Sequence, residues 1–149
     1  MAIDETDRKL LAELQLDATQ SYAALGQVVG MSAGATHERV RKLKAAGVIR
    51  RTAVEVDPAA VGQGVLAFVM LDADAWMGDE PTLRALAEIP AVQEAHIIAG
   101  PASVLVKVRT ATTEDLQTTL RALHKVDGVT STQTIVVLES CFERPPAVM

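Results

Sequence analysis

A chain of 149 residues can make one ordinary domain or two small ones, and 49% hydrophobic with 22% charged residues reads as a folded globular chain. A single cysteine, Cys141, excludes an internal disulfide and a CxxC metal site and is expected to be a buried or idle thiol; the opening MAIDETDRK lacks a signal peptide's apolar core and no apolar run reaches membrane-spanning length, so a cytoplasmic chain without membrane contact is expected. The net charge of −5 argues against a uniformly basic nucleic-acid binder, yet residues 1–52 carry +2 and the remaining residues −7.

The pattern from residue 4 to residue 16 predicts a helix, capped by Asp4, with Asp7 in the first turn and an apolar stripe of Leu10, Leu11 and Leu14. Ser21 caps a second, Tyr22–Val29, with Leu25, Val28 and Val29 facing inward, and Gly30 suits the left-handed position that ends it. Ser32 caps a third, Ala33–Ala46, in which Thr36, Val40 and Leu43 fall within ~60° of one another at ~100° per residue and form the buried edge. Gly34, Glu38 and Arg41 point away from that edge, His37 and Lys42 flank it, and Gly47 stops the helix. Two helices joined by a short Gly-containing turn, the second polar and then basic on its outer face, make the helix-turn-helix pattern.

Between His37 and Arg51 there are six Lys/Arg and one acid. Such a local patch attracts phosphates even on an acidic chain, because a Debye length of ~8 Å screens distant acids. Small residues at the start of the third helix (Ser32, Gly34, Ala35) allow close approach to duplex DNA. His37, Glu38, Arg41, Lys42 and Lys44 can then reach base edges or phosphates. Val48–Val56 alternates loosely and predicts a wing strand whose Arg50 and Arg51 brace the DNA backbone. A plain three-helix bundle with a solvated basic face is the competing reading.

Asp57–Gly64 reads as a hinge. Beyond it come a strand at Val65–Asp72, a helix at Pro81–Glu88 with Leu83, Leu86 and Ala87 inward, and strands at Val92–Ala99 and Ser103–Arg109 around a Gly100-Pro101 turn. A helix capped by Thr113 comes next, with Leu116, Leu120 and Leu123 as its stripe, and Val129–Glu139 is the last strand. The order βαββαβ predicts a four-stranded antiparallel sheet with both helices on one face, a ferredoxin-like arrangement. The fold class is α+β: a winged helix-turn-helix domain at 1–52, a linker at 53–64 and a βαββαβ domain at 65–149. Apolar residues on both faces of the last strand (Ile135, Val136, Val137, Leu138) suggest that a second copy covers the open face. Trp76 and Met77 read as an interface or core anchor, and His96 as a packed or pocket-lining residue.

IDETDRKLLAELQLDAT, YAALGQVVGMSAGATHERVRKLKAAGVIRR and AVEVDPAAVG resemble the opening of the Lrp/AsnC (feast/famine) family of regulators, and EAHIIAG and GVTSTQTIVVLE resemble its second half. The resemblance implies a transcription regulator whose C-terminal domain dimerises, assembles further into tetramers or octamers, and binds small effectors, typically amino acids, between dimers. The implied effector site comprises Gly100, Pro101, Ala102, Ser103 and Val104 with Thr134, Ile135 and Val136. The family usually has an Asp where this chain has Ser103, and a hydroxyl makes a neutral hydrogen bond about half as strong as a charge-assisted one. Either an effector is held mainly through backbone groups in a roomier pocket, or no free amino acid is sensed.

No constellation supports catalysis, a cofactor or a metal, because His37, His96 and His124 fall on different elements without a ligand or nucleophile–base spacing. The expected function is a homo-oligomeric, sequence-specific DNA-binding regulator. An effector-free architectural DNA binder of the same fold and a metabolite-binding regulatory subunit that binds no DNA are the alternatives.

Overall fold

Capping chemistry sets where each of the first three helices begins. In the computed structural model, which describes all 149 residues, α1 spans Glu5–Leu16. The Asp4 carboxylate accepts from the Asp7 amide at 2.8 Å and the Asp7 carboxylate accepts from the Asp4 amide at 3.1 Å, a reciprocal capping box. Helix α2 (Tyr22–Val29) starts where Ser21 Oγ accepts from the Ala24 amide, and α3 (Ala33–Ala45) where Ser32 Oγ accepts from the Ala35 amide. Gly30, at φ +70°, closes α2 in the left-handed conformation that a side chain would strain.

Leu10, Leu25, Thr36 and Leu43 are fully buried and Val40 nearly so, holding the three helices together. Val28, expected inward, is half exposed. The buried side of α2 is centred between Leu25 and Gly26, and Val29 lies on it whereas Val28 lies ~110° away at ~100° per residue. The helices pack closely at Gly26: a Cβ there would sit 2.4 Å from the Met31 carbonyl oxygen.

The wing strand expected at Val48–Val56 does not form. The Val48 and Ile49 amides donate to the Leu43 carbonyl and finish the helix end, and no strand of the chain pairs with residues 50–56. A strand without a neighbour has no ladder to take its backbone groups.

Packing divides the chain into two compact units, Met1–Glu55 with Phe142–Met149, and Val56–Cys141. The sequence pattern places the second domain's end at residue 149; instead the last eight residues belong with the helices. Gln15 Nε2 donates to the Pro146 carbonyl at 3.0 Å and the Arg8 guanidinium donates to the Met149 carbonyl.

The second unit holds β1 (Val65–Ala73), α4 (Glu80–Ala87), β2 (Val92–Ile97), β3 (Val104–Thr110), α5 (Thr113–His124) and β4 (Val129–Val136). All strand pairs are antiparallel and the order across the sheet is β2-β3-β1-β4. Ala67, Val69 and Leu71 of β1 and Val104, Val106 and Val108 of β3 are fully buried with Leu86 and Leu123 of the helices, and Leu116 is nearly so. Both helices thus cover one face. The cap of α5 is Thr112, one residue before the expected Thr113, its Oγ1 accepting from the Asp115 amide. Leu83 and Ala87 are exposed, because α4 turns Ala85, Leu86 and the nearby Ile89 toward the core. The last strand stops at Val136, short of Glu139: the Val137 amide still bonds to the Leu66 carbonyl, but β1 begins at Val65 and offers nothing further. No helix is long and apolar enough to cross a membrane.

The other face of the sheet carries Phe68 and Met70 of β1 beside Leu105 of β3 and Ile135 of β4, by the register of the pairs. None of these four belongs to the buried core that the helices cover.

Candidate nucleic-acid interface and effector region

Helix α3 turns Thr36, Val40 and Leu43 inward and leaves Gly34, Ala35, His37, Glu38, Arg41, Lys42 and Lys44 exposed. Ser32 serves as its cap, so its hydroxyl is already engaged by the Ala35 amide. An added Cβ at Gly34 would meet nothing within 4 Å, so the first turn presents bare backbone on its outer side.

The six cations of the basic run have three different fates. Arg39 is drawn inward, its Nη1 donating to Asp4 Oδ2 at 2.7 Å and to Asp7 Oδ1 at 2.8 Å, and the Asp7 side chain is 3% exposed. It ties α3 to the capping box of α1 and holds the Asp4 carboxyl below its ordinary range. Arg41 is clamped in plane by Glu38, with Nε to Oε2 at 2.8 Å and Nη2 to Oε1 at 2.6 Å. This bidentate bond lowers the Glu38 carboxyl below its ordinary value. Lys42, Lys44, Arg50 and Arg51 are exposed, with no carboxylate within 4 Å. Arg50 and Arg51 lie on irregular chain, not on the expected strand.

Two features escape a reading of the sequence. The Tyr22 and His37 rings stack with centroids 4.6 Å apart, joining the start of α2 to the outer part of α3. The Arg39 clamp spans 32 and 35 residues. Spacing within one helix reveals neither, since both depend on how helices cross.

Gly100–Ser103 forms a bend between β2 and β3, in which the Ser103 amide donates to the Leu71 carbonyl at 2.9 Å and the Ser103 carbonyl accepts from the Ile98 amide. Pro101 is exposed and Ala102 and Ser103 half-buried, whereas Val104 is fully buried in the core and offers no side chain to a ligand. Thr134, Ile135 and Val136 lie on β4, with β1 between it and β3. Val104 and Thr132 face the same residue, Leu71, so Thr134 to Val136 are two strand spacings across and two to four residues along, roughly 12 to 16 Å away. One chain does not bring these two groups into a single pocket. A cleft of about 530 Å³ lies near the far end of β3, lined by Gln63, Pro90, Arg109, Thr110, Asp115 and Thr118 among others.

The remaining singled-out residues scatter. Met77 is buried in the core but Trp76 is 74% exposed, and Cys141 is a free, exposed thiol, so of the two expected alternatives burial is the one that does not hold. His96 is exposed with its Nε2 3.1 Å from Glu94 Oε2, since its strand lies at the sheet edge on the uncovered face. His124 is exposed in the last turn of α5. No group of three or more His, Cys, Asp or Glu side chains is placed to hold a metal ion.

Residues 3–44 match the AsnC-type helix-turn-helix domain and residues 66–147 match the Lrp/AsnC ligand binding domain. The chain is 32% identical to the HTH-type transcriptional regulator FL11 of Pyrococcus horikoshii, over 93% of its own length and 91% of the relative's. Its fold superposes on that of Escherichia coli AsnC with a TM-score of 0.88 at 31% identity, covering 99% of both chains. A feast or famine regulatory protein from M. tuberculosis, solved in complex with L-methionine, gives a TM-score of 0.90 at 26% identity over 99% of this chain and 100% of that one. The capped helical hairpin, the βαββαβ sheet and these matches lead to one assignment: the chain is a transcriptional regulator of the Lrp/AsnC family.

Proposed function

We propose that two copies of the chain join through the uncovered sheet face and read duplex DNA with their paired α3 helices, in the cytoplasm, under control of a small effector bound between subunits. The observation that carries the DNA reading is the outer face of α3 and the segment after it, where Lys42, Lys44, Arg50 and Arg51 stand exposed without carboxylate partners. Cations of this kind release the counterions condensed on DNA, and that release drives binding. DNA contact is assigned to Ser32, Gly34, Ala35, His37, Glu38, Arg41, Lys42, Lys44, Arg50 and Arg51 within a binding domain at 1–52, followed by a linker at 53–64 and an effector and assembly domain from residue 65 to residue 141, the last eight residues packing with the helices.

Phe68, Met70, Leu105 and Ile135 on the uncovered face support the dimer, since burying such a face is what stabilises association. A dimer places two reading helices on major grooves about one turn, ~34 Å, apart. The relative bound to L-methionine supports an amino-acid effector. Contact is assigned to Gly100 through Ser103 and the Val104 backbone on one subunit and to Thr134 through Val136 on another, which answers the separation of these groups within one chain. Ser103 in that bend shifts recognition toward backbone groups.

Selection of bound duplexes from a random pool, with sedimentation to give the assembly, tests the reading. It predicts a two-fold symmetric motif bound by a dimer or larger. Strong binding without sequence preference points to the architectural alternative, and no binding at low salt to the regulatory-subunit alternative. Calorimetry against the twenty amino acids tests the effector, and no heat at millimolar concentration contradicts it.

A further inference from the structure

On a helix wheel set by Thr36, Val40 and Leu43, Glu38 lies almost opposite the buried edge of α3, with Gly34 and Arg41 beside it at ~100° per residue. A carboxylate at the centre of a surface that meets phosphates weakens general attraction to DNA, so backbone contact alone gives it no role there. Its geometry supplies one. Glu38 takes the Nε and Nη2 edge of the Arg41 guanidinium in a bidentate bond, and no other protein group bonds Arg41. The second in-plane edge, Nη1 with the remaining Nη2 proton, is left with two parallel N–H donors. Two parallel donors match the O6 and N7 acceptors of guanine in the major groove. An unrestrained arginine at a half-exposed position has many rotamers; the carboxylate fixes the plane of this one.

We propose that Arg41 reads a guanine in each half-site through its outer edge, and that Glu38 is the positioning residue that holds the fork in the reading plane. The inference rests on the proposed reading of duplex DNA by α3. It separates Arg41 from Lys42, Lys44, Arg50 and Arg51, which carry charge toward phosphates.

The test uses the full chain. Duplexes are selected from a random pool by the wild type, then affinities on the selected duplex are measured by fluorescence anisotropy for the wild type, Arg41→Lys, Arg41→Ala and Glu38→Gln. Circular dichroism checks that each variant is folded. The wild type is expected to select a guanine at one fixed position per half-site and to lose roughly 5- to 150-fold in affinity when adenine replaces it. Replacing that guanine by 7-deazaguanine, which removes only N7, should cost the wild type affinity and cost Arg41→Ala nothing. Arg41→Lys should keep the wild-type salt slope and weaken the guanine preference, since an ammonium reaches the same acceptors without the planar fork. Glu38→Gln should reduce that preference without lowering the salt slope. If the Arg41 variants keep the preference and weaken uniformly on every sequence, Arg41 is a phosphate contact and the inference is overturned. Wild-type discrimination in Glu38→Gln overturns the positioning role. A wild type that selects no motif removes the underlying DNA reading, a result distinct from both.

Discussion

Gly26→Ala perturbs the junction on which the helix-turn-helix depends. In an isolated helix the change stabilises by about 0.8–1.0 kcal/mol, because glycine is the poorer helix former. Here the new methyl group would lie 2.4 Å from the Met31 carbonyl oxygen and 3.0 Å from Thr36 Oγ1. The nearer atom is backbone, so the turn must move by roughly half an ångström or more, and overpacking of this kind costs ~1–3 kcal/mol. The same movement strains the Met31 amide bond to the Gly26 carbonyl, 2.8 Å long and worth about 1 kcal/mol. The balance is a net loss of about 1–2 kcal/mol, or ~5–15 °C in the melting temperature of a unit this size. Thermal unfolding, with amide exchange in α2 and α3 to localise the effect, reads it out. Gly34→Ala is the control: nothing lies within 4 Å of its Cβ, so whatever propensity gain a first-turn position gives appears without a steric cost. If Gly26→Ala is stabilised as much as Gly34→Ala, the close approach of α2 to the turn is wrong.

Lys42→Ala should reduce the slope of log affinity against log salt by about 0.9 for each phosphate that Lys42 neutralises, measured by mobility shift across a salt series. Arg39→Ala leaves the nearly buried Asp7 carboxylate without its guanidinium and should destabilise the N-terminal unit by about 1–3 kcal/mol; a double-mutant cycle with Asp7→Asn should show a coupling that disappears if the clamp is absent. Asp4 is held below its ordinary pKa by the Arg39 hydrogen bond, so its contribution is full above the unfolded value of about 3.9 and is lost as pH falls through the lower folded value. Melting scans against pH should therefore show Asp4→Asn losing stability at neutral pH and having a shallower acid limb than the wild type; parallel curves would contradict this.

Local signals carried much of this fold. Ser21 and Gly30 bracket α2 at Tyr22–Val29 as expected, and the i, i+4, i+7 spacing of Thr36, Val40 and Leu43 identifies the buried edge of α3. These depend on residues within one or two turns. What failed depends on neighbours. Val28, Leu83 and Ala87 have the right period, but the period of a helix does not say which flank its partners approach. Val48–Val56 has strand character without a strand to pair with in its own chain. Arg39 counts as one more cation in the basic run until the fold brings Asp4 and Asp7 to it. The effector residues came from family resemblance alone, and one chain leaves them on strands separated by β1, with Val104 facing the core.

By the function proposed above, the outer face of α3 recognises a particular duplex sequence. The most direct measurement is the affinity of the full chain for its selected duplex against a scrambled duplex of equal length and composition, at two salt concentrations. Binding to the selected duplex should be at least ~10³-fold tighter at physiological salt, with affinity for both falling as salt rises. Equal affinity for the two duplexes would contradict it.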